Sequence, residues 1–180
     1  VYIFNNDIRV TSPDTFPAAV YFMEHNPFAA AGACPLIHVD RQSGLRQTDV
    51  QTNLQALRMI PPGHSVGLGR VGSPLGCNFF FRREAYNRTP GFWEELVSFY
   101  EEIDFGFELY RAGYPDITIA HESYVLPYPF VEHWSGFGSG GYTFQNNREL
   151  NTYKGESRMN RARRMFAVKW GCSDKTALIN

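Results

Sequence analysis

Short apolar runs and two long stretches of helical periodicity organise the chain. Val1-Tyr2-Ile3-Phe4 reads as a buried strand closing in Asn5-Asn6-Asp7, and Ile8 and Val10 continue an alternation before Thr11-Ser12-Pro13-Asp14 turns the backbone. Ser12 ahead of Pro13 is a good helix start, and Phe16, Ala19, Val20 and Met23 trace an amphipathic helix that Asn26-Pro27 stops. Ala33 to Val39 then reads as the next strand. Strand, helix, strand is the usual builder of a mostly parallel sheet with helices against it.

Gln42 to Ser73 is polar at first and then rich in glycine and proline, which predicts a loop with one short helix through Leu54, Leu57 and Ile60. Within it, Gly67-Leu68-Gly69-Arg70-Val71-Gly72 has the spacing of a dinucleotide-binding turn, but no strand leads into it and Ser73-Pro74 stands where a helix must open. Cys77-Asn78-Phe79-Phe80-Phe81 predicts a strand buried on both faces, and Arg83 to Tyr86 a short helical turn broken by Thr89-Pro90-Gly91. From Phe92 to Tyr114 a helix is expected, with Leu96, Phe99, Ile103, Phe107 and Tyr110 as its apolar stripe and Gly113 as its cap. Ile117 to Ala120 is a further short strand. Pro127, Pro129 and the glycine-rich run 135–141 make a loop able to close over a ligand. Met159, Ala162, Phe166 and Trp170 line one side of a terminal helix whose other faces carry Arg158, Arg161, Arg163 and Arg164.

Composition narrows the class. With 180 residues, 43% of them hydrophobic, the chain has the size and core material of one domain spanning 1–180. A formal net charge of -1 offers no general field for nucleic acid or an anionic membrane, so any anion site must be local. Cys34, Cys77 and Cys172 are widely spaced and odd in number, which argues against a disulfide framework or a structural zinc site and fits a reducing, cytoplasmic setting. No run of about 18 apolar residues marks a membrane span. The opening strand has almost nothing before it, which suggests a piece of a longer protein.

The densest chemistry lies at Glu101-Glu102-Ile103-Asp104. Glu101, Asp104 and Glu108 fall on one side of the expected helix and Glu102 on its flank, so Glu102 is expected to reach a cleft while Glu101 lies nearly opposite the apolar stripe. Three carboxylates this close need a cation, an acceptor hydroxyl or an arginine nearby. The plainer reading is a solvated helix face that favours the dipole, with Arg111 pairing Glu108.

The order of these pieces resembles the family 2 glycosyltransferases of the GT-A fold. The likeness rests on a strand closing in Asn-Asn-Asp, a strand of the form Gly-Cys-Asn-Phe-Phe-Phe-Arg-Arg-Glu-Ala-Tyr, then Gly-Phe-Trp-Glu, Tyr-Glu-Glu-Ile-Asp-Phe and a late His133, over residues 1 to about 171. It implies an α/β fold with a mostly parallel mixed sheet flanked by helices, lacking the N-terminal nucleotide-binding strands. A partner domain or chain supplying that part is then expected.

The resemblance also implies roles. Asp7 and Asn5 stand where the family's D-x-D motif holds a manganese or magnesium ion on the donor diphosphate, a hard cation that prefers oxygen ligands. Asn6 falls near the ribose or sugar, and His133 matches a late histidine that helps hold the metal or diphosphate. Glu102 occupies the place of the general base towards the acceptor hydroxyl, where the family usually carries aspartate; Asp104 is the rival, and Glu101 lies on the acceptor side. Trp93 and Trp134 are acceptor-side aromatics, able to stack on a sugar or simply to pack. Lys169 resembles a basic residue near the phosphates. The expected activity is inverting, metal-dependent transfer from a nucleotide sugar to a glycan or other hydroxyl acceptor, as in polysaccharide biosynthesis. A non-catalytic module of the same fold for glycan binding or assembly is the alternative. A nucleotide hydrolase fits less well, because no phosphate-cradling lysine loop is present.

Overall fold

The strand Ala29–Ala33 (β3) is built only from alanine and glycine, and this lets three phenylalanines close on it from the neighbouring strand Asn78–Phe81 (β7). Side chains alternate across a strand, so Phe80 packs on one face of the sheet with Ala19 and Phe22 of the helix Thr15–His25 (α1), while Phe79 and Phe81 pack on the other. The computed structural model describes residues 1–5, 7–40, 43–48, 69–71, 77–96, 100–113, 122–134, 152–153 and 156–171.

Tyr2–Phe4 (β1), β7, β3, Glu122–Val125 (β8) and Gly69–Val71 (β6) form one sheet in the order β1-β7-β3-β8-β6. Ile8–Val10 (β2), Val131–His133 (β9), Leu36–Val39 (β4) and Arg46–Thr48 (β5) form a second in the order β2-β9-β4-β5. Thr152–Tyr153 (β10) and Glu156–Ser157 (β11) make a small ribbon. The protein is thus α/β with mixed sheets flanked by helices. The expected parallel bias is corrected: β3 with β8 and β4 with β9 are parallel, and the other six described pairings are antiparallel. The cause is twofold: β7 inserts antiparallel between β1 and β3, and β2, the strand just before α1, joins the other sheet and so does not pair with β3.

The two parallel pairs are one ribbon. β3 runs into β4 through Cys34 and Pro35, β8 runs on towards β9, and backbone bonds from Leu126 N to Ala33 O (2.8 Å) and from Val131 N to Pro35 O (3.0 Å) bridge the passage. The second expected strand therefore starts earlier than Ala33 and divides between two sheets.

Helix boundaries also differ from the sequence expectations. α1 starts after Asp14 and not at Ser12: Ser12 Oγ accepts from Asp14 N–H (3.2 Å), and Pro17 falls in the first turn, where its missing N–H leaves no helical bond unmade. Arg83–Tyr86 (α2) forms as expected. The central helix is Glu101–Arg111 (α3), much shorter than Phe92 to Tyr114, because Tyr100 takes the left-handed backbone (φ 67°, ψ -4°) that no continuing helix permits. Leu96 is buried, but in a separate turn closed by Leu96 N to Trp93 O (3.0 Å).

α3 is covered on nearly every side. Phe105 and Leu109 join Phe79, Phe81, Tyr86 and Phe92 against the first sheet, with the Phe92 and Phe105 ring centroids 4.6 Å apart. Phe107 meets Phe166 and Trp170 of the terminal helix Arg158–Trp170 (α4) at 5.0 and 5.2 Å. The single apolar stripe is therefore corrected: Asp104 through Leu109 are all buried, whereas Tyr110 is 40% exposed. α4 has the expected apolar face, with Ala162 and Phe166 buried, and Gly171 closes it in the left-handed conformation. β6 places Gly69-Arg70-Val71 in a strand, so that glycine motif opens no helix there. Ile117 to Ala120, the glycine-rich run 135–141 and most of 42–73 lie outside the described residues.

Candidate functional site

β9 lies between β2 and β4, and its register sets the first group of polar side chains: His133 is opposite Ile8 on one side and His38 on the other. Directly opposed residues on paired strands present side chains to the same face, so the two imidazoles become neighbours. Their ring centroids are 5.1 Å apart and the Nδ1 atoms 3.2 Å apart. Asp7, immediately before β2, brings its carboxylate to the other side of the His133 ring, with Oδ2 3.3 Å from Nε2. The Asp7 and His133 side chains are 9% and 17% exposed, so this group is nearly closed off yet still touches solvent. Trp134 N–H donates to Asp7 C=O (2.8 Å), which holds the strand end in place.

Beneath it lies Glu132, 2% exposed and hydrogen-bonded by Trp134 Nε1–H at 2.8 Å. Arg46 of β5 forms an ion pair with Glu132, and Arg9 of β2 approaches at 3.9 Å. A buried carboxylate is stable only with such partners. Trp134, expected on the acceptor side, thus supports both Asp7 and Glu132. Asn5 supports the same turn through its backbone, donating to Cys77 C=O (2.9 Å) and accepting from Ile8 N–H (3.2 Å). Asn6 lies outside the described residues.

The second group joins α3 to α4. Asp104 is fully buried; it accepts from Trp170 Nε1–H (2.7 Å) and pairs with Lys169 Nζ (2.8 Å). Glu108 is also buried, with Lys169 Nζ 2.9 Å away and Arg111 at 2.8 Å. Lys169 lies over the rings of Trp93 (4.8 Å) and Trp170 (5.0 Å), and Arg111 lies over Trp170 (5.3 Å). The solvated-face expectation is therefore corrected for Asp104 and Glu108, while the Glu108–Arg111 pair forms as expected. Asp104, Lys169 and Trp93 belong together in this clasp, apart from the Asp7–His133 pair.

Glu101 and Glu102 occupy the first turn of α3 and are both half-buried, so the expected contrast between an outward Glu101 and an inward Glu102 does not hold. The late helix start removes the geometry on which it rested. Burial pushes the Glu101 carboxyl above its usual range, opposed by a bond from its own backbone N–H. Its Oε2 is buried with no hydrogen-bond partner among the described residues.

Sequence reasoning missed His38, Glu132 and Arg46. A signal for His38 was present: one histidine inside Leu36-Ile37-His38-Val39, an otherwise apolar strand, must find a polar partner when the strand is buried. Nothing in the sequence marked Glu132 as buried, since its cations arrive from β2 and β5. No protein-family model matches the chain, and no curated protein matches it.

Proposed function

We infer that the chain is the metal- and acceptor-binding part of an inverting glycosyltransferase of the GT-A type, with Asp7 and His133 at its donor-diphosphate end. One observation carries this reading: a carboxylate and an imidazole 126 positions apart in sequence come within 3.3 Å at adjoining strand ends. The family resemblance asks for that juxtaposition, and a solvated turn at Asn5-Asn6-Asp7 would not require it.

The donor set fits a divalent cation of limited kind. Two ligand atoms bound side by side at about 2.1 Å from an octahedral cation stand about 3 Å apart, close to the Asp7–His133 separation. Among the described residues no group of three His, Cys, Asp or Glu side chains suits a metal. The described residues therefore offer two ligands, and a diphosphate and water would complete the shell. When bound, manganese or magnesium supplies charge stabilisation for the leaving diphosphate.

The acceptor side falls to the first turn of α3. Asp104, tied to Lys169 and Trp170, holds the two helices together and is withdrawn as the base; Glu102 takes the proton of the acceptor hydroxyl, with Glu101 beside it. Lys169, engaged by Asp104 and Glu108, is likewise withdrawn from donor binding. Its engagement favours the second reading, a non-catalytic module of the same fold.

The test has two steps. Manganese titrated into the chain is followed by calorimetry, and wild type is expected to bind at least about 10-fold more tightly than Asp7→Asn, a loss typical of a removed or misoriented ligand. A panel of nucleotide sugars is then screened with manganese for release of nucleoside diphosphate. Release identifies a chain that is catalytic by itself, and absence of manganese binding defeats the reading.

A further inference from the structure

His38 has a direct contact with His133 that the proposed reaction does not use. Its ring is placed by the parallel register of β4 and β9, and its Nδ1 lies 3.2 Å from Nδ1 of His133. Two like nitrogens at that distance form a hydrogen bond only if one carries the proton and the other offers its lone pair. The other end of the His133 ring faces Asp7, a carboxylate that accepts. Neutral His133 therefore carries its proton on Nε2, towards Asp7, and its Nδ1 accepts from His38 Nδ1–H.

We propose that His38 is the positioning residue of this site, holding the ring of His133 through a shared Nδ1 proton so that Nε2 stays aimed at the Asp7 carboxylate. The bond survives a change of tautomer. For Nε2 of His133 to offer a lone pair, its proton must sit on Nδ1; His38 then accepts there and carries its own proton on Nε2. Each ring keeps one proton throughout, so the pair gains and loses none, and only the direction of the bond reverses. A carboxylate in the place of His38 could accept but not donate, and a lysine could donate but not accept. A second imidazole does both, which explains why a histidine rather than a fixed-polarity group stands at this position.

The inference rests on the metal reading for its purpose but not for its measurement. In metal-free protein labelled with 15N, an imidazole proton between the two rings is expected to exchange slowly and to show coupling to both Nδ1 nitrogens. It should vanish in His38→Phe, which keeps an aromatic ring of similar bulk, and a side-chain hydrogen bond to His133 should return in His38→Asn, whose amide can occupy the Nδ1 position. Thermal unfolding of both variants confirms that each is folded. Manganese affinity is expected to fall about 10- to 100-fold in His38→Phe, the usual effect of removing a group that orients a ligand, and to recover largely in His38→Asn. Absence of the shared proton in wild type overturns the proposal, as does a His38→Phe variant that binds manganese as wild type does. If wild type binds no manganese, the functional reading falls, and the shared proton alone decides the role of His38.

Discussion

Lys169 Nζ stands between two buried carboxylates, 2.8 Å from Asp104 Oδ1 and 2.9 Å from Glu108 Oε1, and fastens the last turn of α4 to the middle of α3. Asp104 is fully buried and Lys169 is 24% exposed at the side chain, so the cation also caps the pair against water. Removing it leaves Asp104, among the described residues, with the Trp170 N–H as its side-chain partner, because Arg111 pairs with Glu108.

Lys169→Met is therefore expected to lower unfolding free energy by about 3 kcal/mol, the scale found when one member of a buried pair is removed. Urea denaturation gives the value. Adding Asp104→Asn to the same chain should recover part of the loss, since the two sites are in direct contact and do not act additively. A loss below about 0.5 kcal/mol, the range of ordinary surface changes, would show that the clasp is not structural.

Glu101 supplies a pH signature. Its carboxyl is raised by desolvation, so the folded state binds the proton more tightly than the unfolded state does. Stability from this group is accordingly greatest at low pH and is lost as pH rises through the raised folded value. Glu101→Gln should raise the melting temperature at pH 7, and the gain should disappear below about pH 4, the ordinary glutamate range. An equal shift at both pH values would place the effect elsewhere.

Gly32 tests the packing of the central strand. A Cβ there would come within 2.6 and 2.7 Å of the Phe80 ring, which is itself buried against α1 and cannot withdraw freely. Gly32→Ala should cost about 1–3 kcal/mol through overpacking, read as a lower denaturation midpoint. Pairing it with Phe80→Leu should relieve most of that cost.

Glu102→Gln addresses the chemistry. With donor and acceptor saturating, transfer is expected to fall about 100-fold or more, the contribution of a positioned base, while manganese binding stays unchanged. Full transfer activity in this variant would move the base to Glu101.

Local pattern carried the strand Asn78–Phe81, the short helix Arg83–Tyr86 and the apolar face of α4, because each is decided by neighbours within a few residues. It also singled out Asp7 and His133, which the strands bring together. What it could not carry were partners from far along the chain. Asp104 and Glu108 look like a charged surface until Lys169 arrives from 65 and 61 residues away to bury them. The helical stripe through Leu96 and Phe99 failed for a different reason: a non-glycine residue in the left-handed region, Tyr100, interrupts a segment whose spacing alone reads as continuous. Pairing direction was likewise hidden, since the strand that separates β1 from β3 comes from a segment more than forty residues later.

The ribbon formed by β3 with β8 and β4 with β9 has a mechanical consequence. Its bridging bonds at Leu126 and Val131 lie where the two sheets meet, so tilting one sheet against the other would have to break them at the bend. A joint stiffened in this way makes a poor hinge. His38 and His133 sit just beyond it on the same two strands, and the backbone positions beneath their rings are held by the ladder. Any change in the distance between the two rings must come from rotation of their side chains, above a backbone floor that keeps its dimensions.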